Sequence, residues 1–226
     1  MNNIVLDEFQ QKIADEAYSE LVSIGQCGLE LMTSGGKSYI AASIIYNFIA
    51  SDNSMHILWL APKAAISNVK DKIFSKLSID RHIEYISYEL LSRADEIPEF
   101  KSNIGLIVFD ECHKAYAKQT FKMINKILEQ ISNVKRLAMS ATPKRYNGVD
   151  TFNILVPRAK HIKFDISMAG KHNLLPDINY VLVNTEIPEI DRKIVRGLEK
   201  VCKVCDEAKN TYDEVCKMID DFQFDF

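Results

Sequence analysis

Six residues in an unbroken and mostly apolar row, Ile104-Gly105-Leu106-Ile107-Val108-Phe109, run straight into two carboxylates, Asp110 and Glu111. A short continuous apolar run is what a parallel strand buried on both faces requires. Its charged end is the stronger constraint, because adjacent carboxylates are costly to bury without a cation. Open α/β sheets hold their ligands at the carboxyl ends of their strands, and the pair stands at such an end. A solvated pair of surface charges is the plainer alternative. The rest of the chain has to decide between them.

A second segment does so. Residues 27–32 form a mostly apolar strand candidate, and Lys37–Ser51 reads as a helix. Between them lie Thr33, Ser34, Gly35 and Gly36, followed by Lys37 and Ser38. A chain that leaves a strand and wraps a phosphate needs inward-pointing N–H groups and little side-chain bulk. The helix start adds free N–H groups and a positive dipole end. Lys37 is then placed to reach terminal phosphates, and the Ser38 hydroxyl to ligate a bridging Mg²⁺. The strict GxxxxGK[ST] pattern is not met, since Leu31 stands where its first glycine would be. A Gly-Gly turn before a core helix is the bland reading of this loop alone. Taken with a phosphate loop, the carboxylates acquire separate roles. Asp110 holds the metal, directly or through water, and Glu111 polarises an attacking water. A third segment, Ser140-Ala141-Thr142-Pro143, follows the strand candidate 134–139, with Pro143 preventing an early helix start. Its composition is common in turns, and its position one strand beyond the acidic pair is what gives it weight.

In this order the three segments resemble the first RecA-like domain of a superfamily-two helicase or translocase with a DExH box, here Asp110-Glu111-Cys112-His113. The nearest branch in appearance is the restriction-enzyme-like one, with the motor subunits of type I and type III restriction enzymes and related DNA translocases. Leu6-Asp7-Glu8-Phe9-Gln10 is similar to that branch's Leu-Arg-x-Tyr-Gln signature, with Asp7 where arginine is frequent. Leu60-Ala61-Pro62-Lys63 resembles the first strand-contacting motif, and Tyr85-Ile86-Ser87-Tyr88-Glu89 the next. Pro143-Lys144-Arg145 and Gly170-Lys171-His172-Asn173-Leu174-Leu175-Pro176 are similar to the exit of such a domain.

The resemblance covers roughly residues 1–185 and implies an α/β, RecA-like P-loop NTPase fold acting on ATP with Mg²⁺. It implies catalytic roles for Lys37, Asp110 and Glu111, and metal ligation by Ser38 and Asp110. Gln10 would read the adenine edge with Phe9 packed beside it, and Thr33 to Ser38 would surround the phosphates. His113, Ser140 and Thr142 would couple the site to Pro62, Lys63 and Ser87, which would meet nucleic acid. DNA is favoured over RNA by the branch alone, because such motifs meet mainly the backbone.

Length and composition agree. The chain of 226 residues can bury a sizeable core, and its 47% hydrophobic and 26% charged content is ordinary for a globular protein. No apolar stretch is long enough to span a bilayer, and Met1-Asn2-Asn3 does not begin a secretion signal. Five cysteines, mostly beside charged residues, fit a reducing compartment, so a cytoplasmic location is expected. A net charge of -3 argues against coating nucleic acid by bulk charge, though not against a local grip on one backbone.

Periodicity predicts helices over Glu8–Ser23, Lys37–Ser51 and 63–77, and another marked by Phe121, Ile124, Ile127, Leu128 and Ile131. Strands are expected at 28–32, 82–87, 135–139, His56 to Leu60 and Ile104–Phe109, alternating with helices as in a mainly parallel sheet. The stretch 146–150 reads as an exposed loop. Beyond residue 185 the apolar positions Ile194, Leu198, Val201, Cys205, Ala208, Tyr212, Val215 and Ile219 make a heptad-like stripe. A helical appendage over 186–226 is expected there, seated on this domain, on a missing part of the protein, or on a second copy. Cys202, Cys205 and Cys216 do not make a zinc site: on a straight helix Cys205 and Cys216 lie about 16 Å apart.

An ATP-hydrolysing motor domain on DNA is the leading expectation. An RNA helicase domain, or a nucleotide-dependent scaffold without turnover, stands behind it. A small-molecule kinase fits the phosphate loop but explains neither the acidic box nor the Ser-Ala-Thr segment. Such motors take their arginine fingers from a second RecA-like domain. Residues after about 185 show no second half, so a longer protein or another subunit is expected to supply it.

Overall fold

The computed structural model describes residues 4–32, 35–101, 103–131, 133–144, 148–164 and Met168. Thr33, Ser34, Arg145, Tyr146, Asn147, the segment 170–176, the stripe from Ile194 to Ile219 and its three cysteines lie outside the described residues.

The chain enters through helix α1 (Glu8–Ser23), whose first turn is closed by a capping box between Asp7 and Gln10. Strand β1 (Gln26–Leu31) is followed by α2 (Lys37–Ser51). Then come β2 (His56–Ala61), α3 (Lys63–Val69), β3 (Ile83–Ser87) and the short α4 (Tyr88–Leu91). After these follow β4 (Ile104–Phe109), α5 (Lys118–Gln130), β5 (Lys135–Ser140), α6 (Phe152–Leu155) and β6 (Lys160–Phe164). The six strands form one sheet in the order β3-β2-β4-β5-β1-β6, and every neighbouring pair is parallel.

Strand alternation divides the core between the two faces of the sheet. On one face Ile57, Trp59, Leu106, Val108, Leu29 and Leu31 pack with α1 and α2. On the other, Leu58, Leu60, Ile107 and Phe109 pack with α4, α5 and α6. This double burial explains the continuous apolar runs of β2 and β4. Helix α2 buries Ile40, Ala41, Ala42, Ile44, Ile45, Phe48 and Ile49, so it lies deep under the sheet rather than on the surface. Each isoleucine or phenylalanine among them contributes roughly 1.5 to 3 kcal/mol on full burial. Gly28 of β1 is there for packing: a Cβ would stand 3.0 Å from the Phe152 ring of α6.

Three sequence expectations need correction. The helix expected over 63–77 stops being α-helical at Val69 and widens into a π-turn over Lys70–Phe74. The extra residue lets Val69, Ile73 and Phe74 all reach the core, Phe74 meeting the Trp59 ring edge-on at 5.1 Å. Strand β1 begins two residues earlier than expected, because Gln26 and Cys27 pair with Arg136 and Leu137 of β5. Strand β6 was not expected. Only Ile162 and Phe164 of it are buried, and its place at the sheet edge comes from its pairing with β1 rather than from its own pattern.

Candidate active site

The carboxyl ends of β1 and β4, with β5 between them, carry the expected phosphate loop and the acidic pair. Gly36 takes a left-handed conformation (φ 79°) and caps α2, which turns the chain sharply from the loop into the helix. Lys37, the first residue of that helix, is buried. Its Nζ donates to the Leu31 carbonyl at 3.3 Å and lies 3.7 Å from the Glu111 carboxylate. Thus the ammonium is held inward between the loop and the acidic box, and Ser38 beside it is half-buried.

Asp110 is 4% exposed, and its Oδ1 accepts the Glu111 N–H at 3.0 Å. Burial, and then the charge of Glu111, push its carboxyl up to about 6, against the opposing pull of Lys37. A carboxylate kept so short of compensation is a fit for a cation, and Ser38 faces the same cavity. Glu111 occupies a left-handed conformation (φ 48°), which costs a non-glycine residue about 1 to 2 kcal/mol. That turn throws its carboxylate back between Lys37 and His113, whose Nδ1 is 3.5 Å away. The same Nδ1 is 3.0 Å from the Ser140 hydroxyl, which accepts the Thr142 N–H at 3.0 Å. Acidic box and Ser-Ala-Thr segment are therefore joined directly.

These groups surround a cavity of about 350 Å³ lined by Gly36, Lys37, Ser38, Tyr39, Asp110 and Glu111 and by Ala65, Asn68, Val69 and Ile73 of α3 and its π-turn. Gln10 lies over the loop: its Oε1 accepts the Asp7 N–H at 3.1 Å, and its amide nitrogen abuts Gly36, where any Cβ would collide with it. Phe9 stacks on Phe164 of β6, ring centroids 4.8 Å apart, and lines a different cavity with Lys12, Ile13 and Ile162.

The family model described as the type III restriction enzyme, res subunit, matches residues 72–145. A type I restriction enzyme EcoAI endonuclease subunit from Escherichia coli is 29% identical over 155 residues, covering 58% of this chain and 19% of that subunit. The chain thus spans about a fifth of the curated relative's length. Among solved structures, the Pyrococcus furiosus Hef helicase domain superposes with a TM-score of 0.54 at 15% identity, covering 86% of this chain and 45% of that one. A nuclease-deletion mutant of the Type ISP restriction-modification enzyme LlaGI, in complex with a DNA substrate mimic, gives 0.54 at 14% identity, covering 75% and 21%. At such identities the structures speak for the RecA-like fold, and the sequence matches for the branch. The chain is similar in sequence to the restriction-enzyme-like branch of superfamily two.

The expected strand-contacting residues stand at the same end of the sheet as the site, after β2 and β3. Lys63 is exposed, Ser87 half-buried and Pro62 buried. The Ser87 hydroxyl caps α4 by accepting the Leu90 N–H at 3.1 Å, and the Glu89 carboxylate accepts the Lys63 N–H at 3.0 Å. Sequence reasoning missed Tyr39 and Asn68 in the cavity wall, and the bond by which Tyr88 reaches the acidic pair. Asn68 carries no signal of its own, being one polar residue on a helix. Tyr39 directly follows Ser38 and could have been found from that position. No group of three or more possible metal-ligating side chains occurs among the described residues. Likewise no helix among them is long and apolar enough to cross a membrane.

Proposed function

We propose that residues 1–185 are the ATP-binding half of an ATP-hydrolysing motor that moves on DNA, with 186–226 as an appendage or connector. The observation that carries this reading is the buried Lys37 ammonium facing Asp110 and Glu111 across a cavity at a phosphate-loop helix start. Lys37 and the loop N–H groups bind and orient the β- and γ-phosphates. Ser38 and Asp110 would hold Mg²⁺, which when bound neutralises phosphate charge. Glu111 accepts a proton from the attacking water, and its left-handed backbone and the His113 contact fix its carboxylate for that task. Through His113, the Ser140 and Thr142 segment senses where that carboxylate stands. None of the described residues lining the cavity is an arginine, which supports a second RecA-like domain as the partner that supplies one. DNA is the preferred nucleic acid, given the restriction-like kinship.

Single-turnover phosphate release tests this, with the chain in excess over ATP and with or without duplex DNA. Slow release that DNA accelerates and that Glu111→Gln abolishes is the expected result. Nucleotide binding with no release under any condition would point instead to a scaffold without turnover.

A further inference from the structure

We infer that Tyr88 is a positioning residue that fastens the strand-facing helix α4 to the Asp110–Glu111 peptide, so that nucleic-acid and nucleotide binding affect each other within this one domain. The inference rests on the site reading above and adds a residue to it. Tyr88 opens α4 directly after Ser87, and its side chain is only 4% exposed. Its hydroxyl donates to the carbonyl oxygen of Asp110 at 3.0 Å, across 22 residues of sequence. Burial holds this hydroxyl well above the ordinary tyrosine range, so it remains a donor throughout the working pH.

The bond has consequences because of where the acceptor stands. The Asp110 N–H is already tied to the Leu60 carbonyl at 2.8 Å, which fixes the end of β4. The Asp110 carbonyl belongs to the next peptide, the one that enters left-handed Glu111. A residue in that sparsely populated region stays there only when its surroundings over-determine it. Tyr88 supplies one such restraint, the Oδ1 of Asp110 another, and the contacts of Glu111 with Lys37 and His113 the rest.

The start of α4 adjoins the expected strand grip, since its N-cap is Ser87. Glu89 takes the Lys63 N–H and Ser87 caps the helix, so Lys63 and Ser87 are both bonded to the helix that Tyr88 opens. A shift of α4 on gripping a phosphate backbone pulls the Tyr88 hydroxyl and turns the 110–111 peptide. The Glu111 carboxylate then moves relative to Lys37. By linkage the reverse holds: nucleotide that fixes Glu111 must change strand affinity by the same factor.

The test measures the affinity of the 226-residue chain for a short duplex DNA, with and without saturating Mg²⁺ and a non-hydrolysable ATP analogue. The ratio of the two affinities, taken within each protein, is the readout, and a merely structural role would not change it. The unmutated chain is expected to show a ratio on the order of fivefold. Tyr88→Phe, which removes only the hydroxyl, is expected to bring the ratio close to one while nucleotide still binds. Glu89→Ala, an exposed change that severs the other end of the linkage, is expected to lower the ratio as well. It decides the matter if the phenylalanine variant does not fold. Wild-type ratios in the variants, or no ratio above one in the unmutated chain, would overturn the inference and leave the nucleotide site standing. No analogue binding by the unmutated chain would instead refute the site reading itself.

Discussion

Asp110 is ionised at neutral pH only against resistance, since burial and Glu111 raise its carboxyl from an ordinary 3.8 to about 6. The folded state therefore holds a proton that the unfolded chain has already lost between those two values. Stability from this group is full below about pH 4 and is lost as pH rises through about 6. Asp110→Asn removes the penalty, so the variant should melt higher than the unmutated chain at about pH 8, by roughly 1 to 3 kcal/mol of stability. Near pH 4 that advantage should vanish. Calorimetric melting at both pH values checks this, and an equal difference at the two would contradict it. The same titration predicts that affinity for Mg²⁺ with ATP weakens as pH falls below about 6, because the metal needs the ionised carboxylate.

At the scale of elements, the join between α1 and α2 is the most exacting contact. Gly36 has φ 79° and no room for a Cβ beneath the Gln10 amide. Gly36→Ala should lower nucleotide affinity by about tenfold, from roughly 1 to 2 kcal/mol of backbone strain plus the clash. In a double-mutant cycle, Gln10→Ala should relieve part of the stability loss in Gly36→Ala, leaving the backbone part. Strict additivity of the two changes in thermal melts would mean that the amide does not press on the loop.

The bounds of α1, α2 and β4 were legible in the sequence because caps and continuous apolar runs mark them locally. So was the gathering of Lys37, Asp110, Glu111, His113 and Ser140, once the fold placed β1 and β4 at one sheet end. The π-turn was not, because the apolar spacing Val69, Ile73, Leu77 fits an ordinary helix equally well. Neither was β6, whose strand character comes from its pairing with the distant β1, as of Lys160 with Cys27 and Ile162 with Leu29. Tyr88 was legible only as part of a strand-contacting motif, since its bond to Asp110 depends on tertiary packing.

At the scale of the whole molecule, a single RecA-like domain forms one wall of an ATP cleft. Motors of this kind close two domains around the nucleotide and open them again. Alone, the chain should bind ATP weakly, hydrolyse it slowly and separate no strands. With a net charge of -3, the proposed hold on DNA would be local and should weaken steeply with salt. Robust multiple-turnover hydrolysis by the purified monomer, retained on dilution, would show that no second wall is needed. Within the domain, Lys37, Asp110 and Glu111 are proposed to form the nucleotide site together. Calorimetric titration with Mg²⁺ and ATP, on the unmutated chain and on Lys37→Ala, tests that claim most directly. Saturable binding by the first and none by the second is the expected result, and equal affinity in both would contradict it.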